Sequence, residues 1–504
     1  MATAGLAVRM LSGNATPSAR AAYRVAPYAK TAVPTARQLH LMNRLGTGFS
    51  VAAFRQMTAA GGETAWFERQ LDPASVSENA RGAAVPGWFP DLRRSPAEIW
   101  QTDQGSGKPG WEYARDLCNA ALLRRTYSSR SVLESMVEFW SNHLHVDANH
   151  FPAFTVRSSY DDVIREHALG RFEDMLVATT LHPAMLLFLD NWKSVKNNPN
   201  ENHGRELLEL HTVGRDAGYT EQMVKDSAKI LSGWTVVRDT WVRQYDANRH
   251  TTGAVTVLGF SRANSAADGS AVTEQYLRYL ANHPATAQRI CRKLAIRFVS
   301  DDPPAALVDR LAAVYLDSGT DIKPVLRALV AREEFWASAG QKVRTSMDDC
   351  IATLRALDVR ASGPTGLSSF ANELCWTLNS TLAFQWPRPD GPPERAGAWA
   401  STTRMLNSFR MHWNIAGGWW PNGEVTYRKP ASFLPQKRVR FDQFVDHLCR
   451  VVLGRKSTSR ILRAACEGVD VAPGEVITAK HAVISWKFPR LLAVLLDSPA
   501  HMSR

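Results

Sequence analysis

Apolar residues along this chain recur at intervals of three and four. Val132, Met136, Val137 and Trp140 fall on one face of a helix beginning near residue 128, the pattern of an amphipathic helix packed on a core. The same period predicts helices over 63–71, 114–125, 161–178, 205–213, 221–231, 285–298, 305–316, 322–335 and 345–357. Strand signals are confined to short runs, the best being 234–237 and 254–258. The pattern therefore predicts a mainly α protein, a large irregular helical bundle with at most a small β-hairpin.

Proline and glycine divide the bundle. The run Ser362-Gly363-Pro364-Thr365-Gly366 reads as a loop, and Trp386-Pro387-Arg388-Pro389-Asp390-Gly391-Pro392-Pro393 fits neither a helix nor a central strand. With a soft boundary near 357–367, the expected organisation is a disordered tail over 1–37, a helical core domain over 38–357, and a Trp/Pro-rich helical region over 358–504 packed on that core. The tail carries Arg9, Arg20, Arg24, Lys30 and Arg37 and no acid. It has neither a continuous apolar stretch nor a twin-arginine pair, so cytoplasmic residence is expected over export.

Composition narrows the function classes. The 504 residues are 45% hydrophobic and 21% charged, enough for a large core, and no apolar run approaches the roughly 18–20 residues of a bilayer span. The net charge is +12, but basic residues often sit beside acids, as in Arg165-Glu166 and Arg332-Glu333. That scatter does not favour nucleic acid. Six dispersed cysteines form no CxxC pair and read as reduced core residues. Gly-x-Ser-x-Gly elbows and glycine-rich phosphate loops are missing from the sequence. Six of the sixteen tryptophans, Trp376, Trp386, Trp399, Trp413, Trp419 and Trp420, crowd the C-terminal third, where they could fill gaps or form a platform for a glycan or other polymer.

Several separated stretches share a kinship. They are His40-Leu41-Met42-Asn43-Arg44-Leu45-Gly46-Thr47-Gly48, Phe139-Trp140-Ser141-Asn142-His143, the run from Asn200 to Gly214, His283-Pro284 with Lys293, Phe298 to Pro304, and the Trp386-Pro387 loop. Through them the chain resembles, from about His40 to beyond Trp420, the bacterial family termed domain of unknown function 1800. The resemblance implies a possible companion of the family termed domain of unknown function 1501, whose members are similar to sulfatases and phosphatases, and it carries no reaction to transfer. Two positions depart from the family pattern: Ser141 replaces a histidine and Thr251 an aspartate, which would impair a metal site using them.

Read from its own residues, the stretch 202–211 is the best candidate site. At about 100° per residue Asn202, Glu206 and Glu209 share one helix face, and two carboxylates on adjacent turns can ligate a metal or act as catalytic acid and base; a solvated face is the plainer alternative. His211 points between Leu207 and Leu208, as a core histidine would. His143 and His145 can share an ion only if their helix ends near Asn142, with His150 following in a loop. Three functions stay open: a metal-assisted hydrolase or oxidoreductase with catalytic Glu206 and Glu209 and an iron, manganese or zinc ion on His143, Glu206, Glu209 and His250; a non-catalytic partner of the companion family; and a polymer- or glycan-binding module.

Overall fold

A computed structural model describes residues 23–363, 373–374 and 382–504. Helices dominate from Ala36–Arg44 to Pro499–Met502, and the strands among the described residues form four two-stranded antiparallel sheets. The mainly α expectation holds. Run 234–237 becomes the hairpin Trp234–Val236 with Arg243–Tyr245, and run 254–258 a second one, Val255–Val257 with Phe260–Arg262. No helix among the described residues is long and apolar enough to cross a membrane.

Local chemistry sets several boundaries that periodicity alone misses. The expected helix 161–178 is two helices, Arg157–His167 and Phe172–Thr180, broken at Gly170. The expected helix 322–335 likewise stops at Val330 and restarts as Glu333–Ala337. Helix Pro284–Phe298 begins where His283 caps it: Nδ1 accepts the Ala285 N–H at 3.2 Å, and Pro284 occupies the first turn, where its missing N–H costs nothing. Within the family stretch 200–214, helix Glu201–Glu206 widens into a π-helix over Leu207–His211. Thr212 Oγ1 donates to the Leu207 carbonyl at 2.7 Å at its end.

Two large apolar clusters form the core. One runs through residues from Leu39 to Phe335. The other gathers Tyr28, Val85, Phe89 and Leu123 with residues from Cys350 to Leu496, so helix Ser346–Ala356 contributes to it although it precedes the expected boundary. A buried ion network joins the two: Glu138 and Glu394 both bind Arg297, Glu138 and Asp348 both bind Arg125, and Asp348 also binds Arg504 at 3.0 Å. Five described cysteines, Cys118, Cys291, Cys350, Cys449 and Cys466, are buried and outside disulfides; Cys375 and Trp376 lie outside the described residues.

Part of the expected tail is docked. Tyr28 is buried and its N–H donates to Asp446 at 2.7 Å, while the Thr31 hydroxyl lies 2.7 Å from His447 Nδ1. Residues 1–22 lie outside the described set.

Candidate functional site around Lys293 and the π-helix

Helix Ser131–His143 ends at His143, close to the end near Asn142 that an ion shared by His143 and His145 would need. Its last imidazole is fixed at both nitrogens: Nε2 donates to the His211 carbonyl at 3.0 Å, and Nδ1 lies 2.8 Å from Lys293 Nζ, which donates to it. The segments 139–143 and 200–214 therefore meet, but through the backbone of the π-helix. Burial, with Lys293 and Arg289 nearby, holds His143 far below the usual imidazole range, so it is a neutral acceptor for the amine.

Lys293 comes from helix Pro284–Phe298, where Arg289, Lys293 and Arg297 are spaced by four and form one stripe. Arg289 donates to the Leu210 carbonyl at 3.3 Å, and Arg297 binds Glu138 and Glu394. Dense packing, then the Arg289 cation, lower the Lys293 amine to about 7, against the partial opposition of Glu394 and Asp390. The residue still keeps a part of its surface open. An amine that titrates near physiological pH, on a residue only partly shielded from solvent, is the chemical peculiarity of this site.

Glu206 and Glu209 do share a neighbourhood. Burial raises the Glu206 carboxyl above its usual range, and the Glu209 charge raises it further, with Asp390 adding a smaller push. Glu209 is tied to Arg215. Asn202 is exposed, its side chain donating to the Leu189 carbonyl at 3.3 Å. Below lies a set of buried histidines: His145 donates through Nε2 to the Trp386 carbonyl at 2.8 Å, and neither ring nitrogen of His203 or His211 has a hydrogen-bond partner. Burial lowers His203 to about 3 and His145 to about 4, so the set is uncharged.

The loop around residues 382–394 covers this ground. Gly391 has φ +70°, and a Cβ there would sit 1.9 Å from the Asn142 carbonyl oxygen, so only glycine lets the loop seat against the end of helix Ser131–His143. Trp386 donates its indole N–H to Asp390 at 2.9 Å and Trp399 donates to the Pro393 carbonyl at 2.7 Å. Trp413 and Trp419 pair with each other at 5.1 Å. Trp419 is 48% exposed.

The motif stretches around His143, Leu210–His211, Lys293 and Trp386 thus meet at one place, and the match to known proteins covers nearly the whole chain: residues 40–503 fit the family described as protein of unknown function (DUF1800). The chain belongs to the DUF1800 family. No curated protein and no solved structure matches it.

In this DUF1800 protein the four expected metal ligands do not fit one ion. His143 spends both nitrogens on Lys293 and the His211 carbonyl. His250 sits elsewhere, with Nδ1 at 3.0 Å from the Ser232 carbonyl and Nε2 at 3.0 Å from Asn264 Oδ1. Thr251 works in that second group, accepting the Asn197 N–H at 3.0 Å. Ser141 is buried with no partner for its hydroxyl. Among the described residues one trio of side chains brings ligand atoms within 4.8 Å of one another, Asp349, His412 and His501, and it shares no residue with the expected set. Lys293 lies in a family motif, and the signal in the sequence that could have found it is the His283-Pro284 helix start that places it. Asp349 and His412, 63 residues apart, carried no local signal.

Proposed function

We propose that this protein is an enzyme whose reactive group is the Lys293 amine, acting as a nucleophile on the carbonyl carbon of a small polar substrate. The observation that carries the reading is the Lys293 Nζ to His143 Nδ1 hydrogen bond of 2.8 Å, made by an amine lowered to about 7. A lysine that is desolvated and set beside a second cation, here Arg289, is the arrangement that frees an amine lone pair at neutral pH. His143 positions the amine. The amine nitrogen bonds to the carbonyl carbon and gives up its two protons in turn, the oxygen takes up two, the C–O bond breaks with loss of water, and a neutral imine is left. Glu206, a half-buried carboxyl that holds its proton more tightly than usual, is assigned the proton transfers. Asp390, close enough to act on both Glu206 and Lys293, sets their balance.

The test is reductive trapping: the protein is incubated at pH 7 with a small aldehyde and cyanoborohydride, and the adducts are mapped by mass spectrometry. Lys293 should be modified ahead of the surface lysines and the adduct lost in Lys293→Met. Modification of the exposed lysines with Lys293 untouched would overturn the reading.

A second reading, a docking partner such as the companion family implied by the resemblance, is favoured by one surface. Phe151 is 60% exposed and sits 5.2 Å from Trp100, which packs on Trp241 beside Val242, itself 57% exposed. If this surface docks a companion protein, a Phe151→Ser, Val242→Ser double variant should lose that protein on co-purification and keep the Lys293 adduct.

A further inference from the structure

The trio outside the Lys293 site has a geometry of its own. Asp349 lies on helix Ser346–Ala356, His412 on helix Thr402–Gly417 and His501 on helix Pro499–Met502. All three are buried. Both imidazoles converge on a single carboxylate oxygen: His412 Nε2 is 3.0 Å and His501 Nε2 3.5 Å from Asp349 Oδ1. Ligand atoms around a tetrahedral zinc, each about 2.0–2.2 Å from the ion, stand roughly 3.3 Å from one another, and the two distances bracket that figure.

The surroundings add the parts such a centre uses. The far nitrogen of His412, Nδ1, lies 2.7 Å from Asp497 Oδ1. A carboxylate there fixes the ring orientation and turns the Nε2 lone pair inward, the carboxylate–histidine–metal arrangement that supports ligating imidazoles. Thr353 Oγ1, one turn beyond Asp349, sits 2.9 Å from His501 Nε2 and supplies a further oxygen. Asp349 Oδ2 is left without a hydrogen bond and has only the Arg404 guanidinium at 3.5 Å. Two imidazole nitrogens and one carboxylate oxygen, closed off from solvent, suit zinc among the common divalent ions.

We propose that Asp349, His412 and His501 bind one zinc ion that ties the last helix of the chain to helices Ser346–Ala356 and Thr402–Gly417, independently of the Lys293 site. The ion is structural: the site is buried beyond a substrate's reach, and the Thr353 hydroxyl oxygen is placed to fill the fourth position. Its role is to hold the second apolar cluster together where three helices meet.

The test is elemental analysis of the full chain purified without affinity-tag metal or chelator. About one zinc per chain is expected, retained in a Glu206→Gln, His143→Gln control and reduced at least tenfold in His412→Asn. Because His412→Asn could fold poorly, the unmutated chain provides the second measurement: exchange into cobalt(II) should give the visible absorption of a tetrahedral N/O site, and chelator should lower the melting temperature. Native chain that holds less than a tenth of an equivalent, takes up none from a slight zinc excess and shows no cobalt band overturns the proposal. In that outcome a proton shared between His412 and its two aspartates is what joins the helices. Zinc retained in folded His412→Asn but lost in the Glu206, His143 control would also overturn it.

Discussion

At the scale of single residues the site depends on holding a lysine where its charge is disfavoured. An amine that is lowered to about 7 in the folded state but titrates near 10.5 when unfolded binds fewer protons folded than unfolded between those values. The stability it permits is therefore greatest above pH 10.5 and is lost as pH falls toward 7, below which the effect is constant. Lys293→Met should raise stability near pH 7 by about 1–3 kcal/mol and flatten the rise in stability between pH 7 and pH 10, as measured by urea denaturation at several pH values. A variant less stable than the parent at pH 7 would show that the amine is held by favourable charge contacts. That the segment ending at His143 meets the stretch 202–211 was legible in the sequence, as an ion expected between them. Their chemistry was not, because a ligand's lone pair and a hydrogen-bond acceptor's lone pair look alike in a sequence, and only the placement of Lys293 decides between them.

At the scale of elements, the helices were readable wherever a three-to-four residue period met a buried face, as in 221–231, which is helix Glu221–Leu231. The splits at Gly170 and after Val330 were not, because apolar positions continue across both breaks. Nor was the π-helix Leu207–His211, whose extra residue per turn leaves Glu206 and Glu209 together while turning His211 and its carbonyl toward His143. Such widened turns often mark functional segments. Gly204 permits the arrangement from below: a Cβ there would meet the Ala228 backbone nitrogen at 2.8 Å, and Ser227 Oγ donates to the Gly204 carbonyl at 3.3 Å. Gly204→Ala should push helix Glu201–Glu206 off helix Glu221–Leu231 and destabilise the protein by about 2–3 kcal/mol, read as a lower denaturation midpoint. It should also slow trapping at Lys293, since the π-helix carbonyl that fixes His143 moves with the helix. An unchanged trapping rate in a destabilised variant would separate the helix packing from the site.

At the scale of the whole molecule, two apolar clusters are joined by buried charges and by the docked segment before residue 37. Arg297 bridges Glu138 and Glu394 with almost no exposure, so Arg297→Met leaves Glu394 without its partner and Glu138 with Arg125 alone, and should cost about 3–5 kcal/mol, with the melting transition broadened or split. A sharp transition at the parent temperature would mean that the clusters are joined by other contacts. The expectation of a wholly disordered tail failed over residues 23–37 because a basic, acid-free stretch can still bury one tyrosine and satisfy an internal aspartate, as Tyr28 does with Asp446. Deletion through Arg37 should therefore lower the melting temperature by about 2–3 °C, what about 2–3 kcal/mol produces in a chain of this size. A melting curve unchanged by the deletion would contradict the docking.

The chemistry proposed for this protein stands on the state of one amine. Lysines methylated with a carbon-13 label give separate resonances whose shifts follow ionisation, and Lys293 is assigned by its loss in Lys293→Met. Followed across pH 5 to 11, the Lys293 signal should titrate near 7 while the surface lysines titrate above 10, and the His143→Phe variant should move it. A Lys293 signal that titrates with the surface lysines, or not at all below pH 10, would contradict the reading of this site as a centre of amine chemistry.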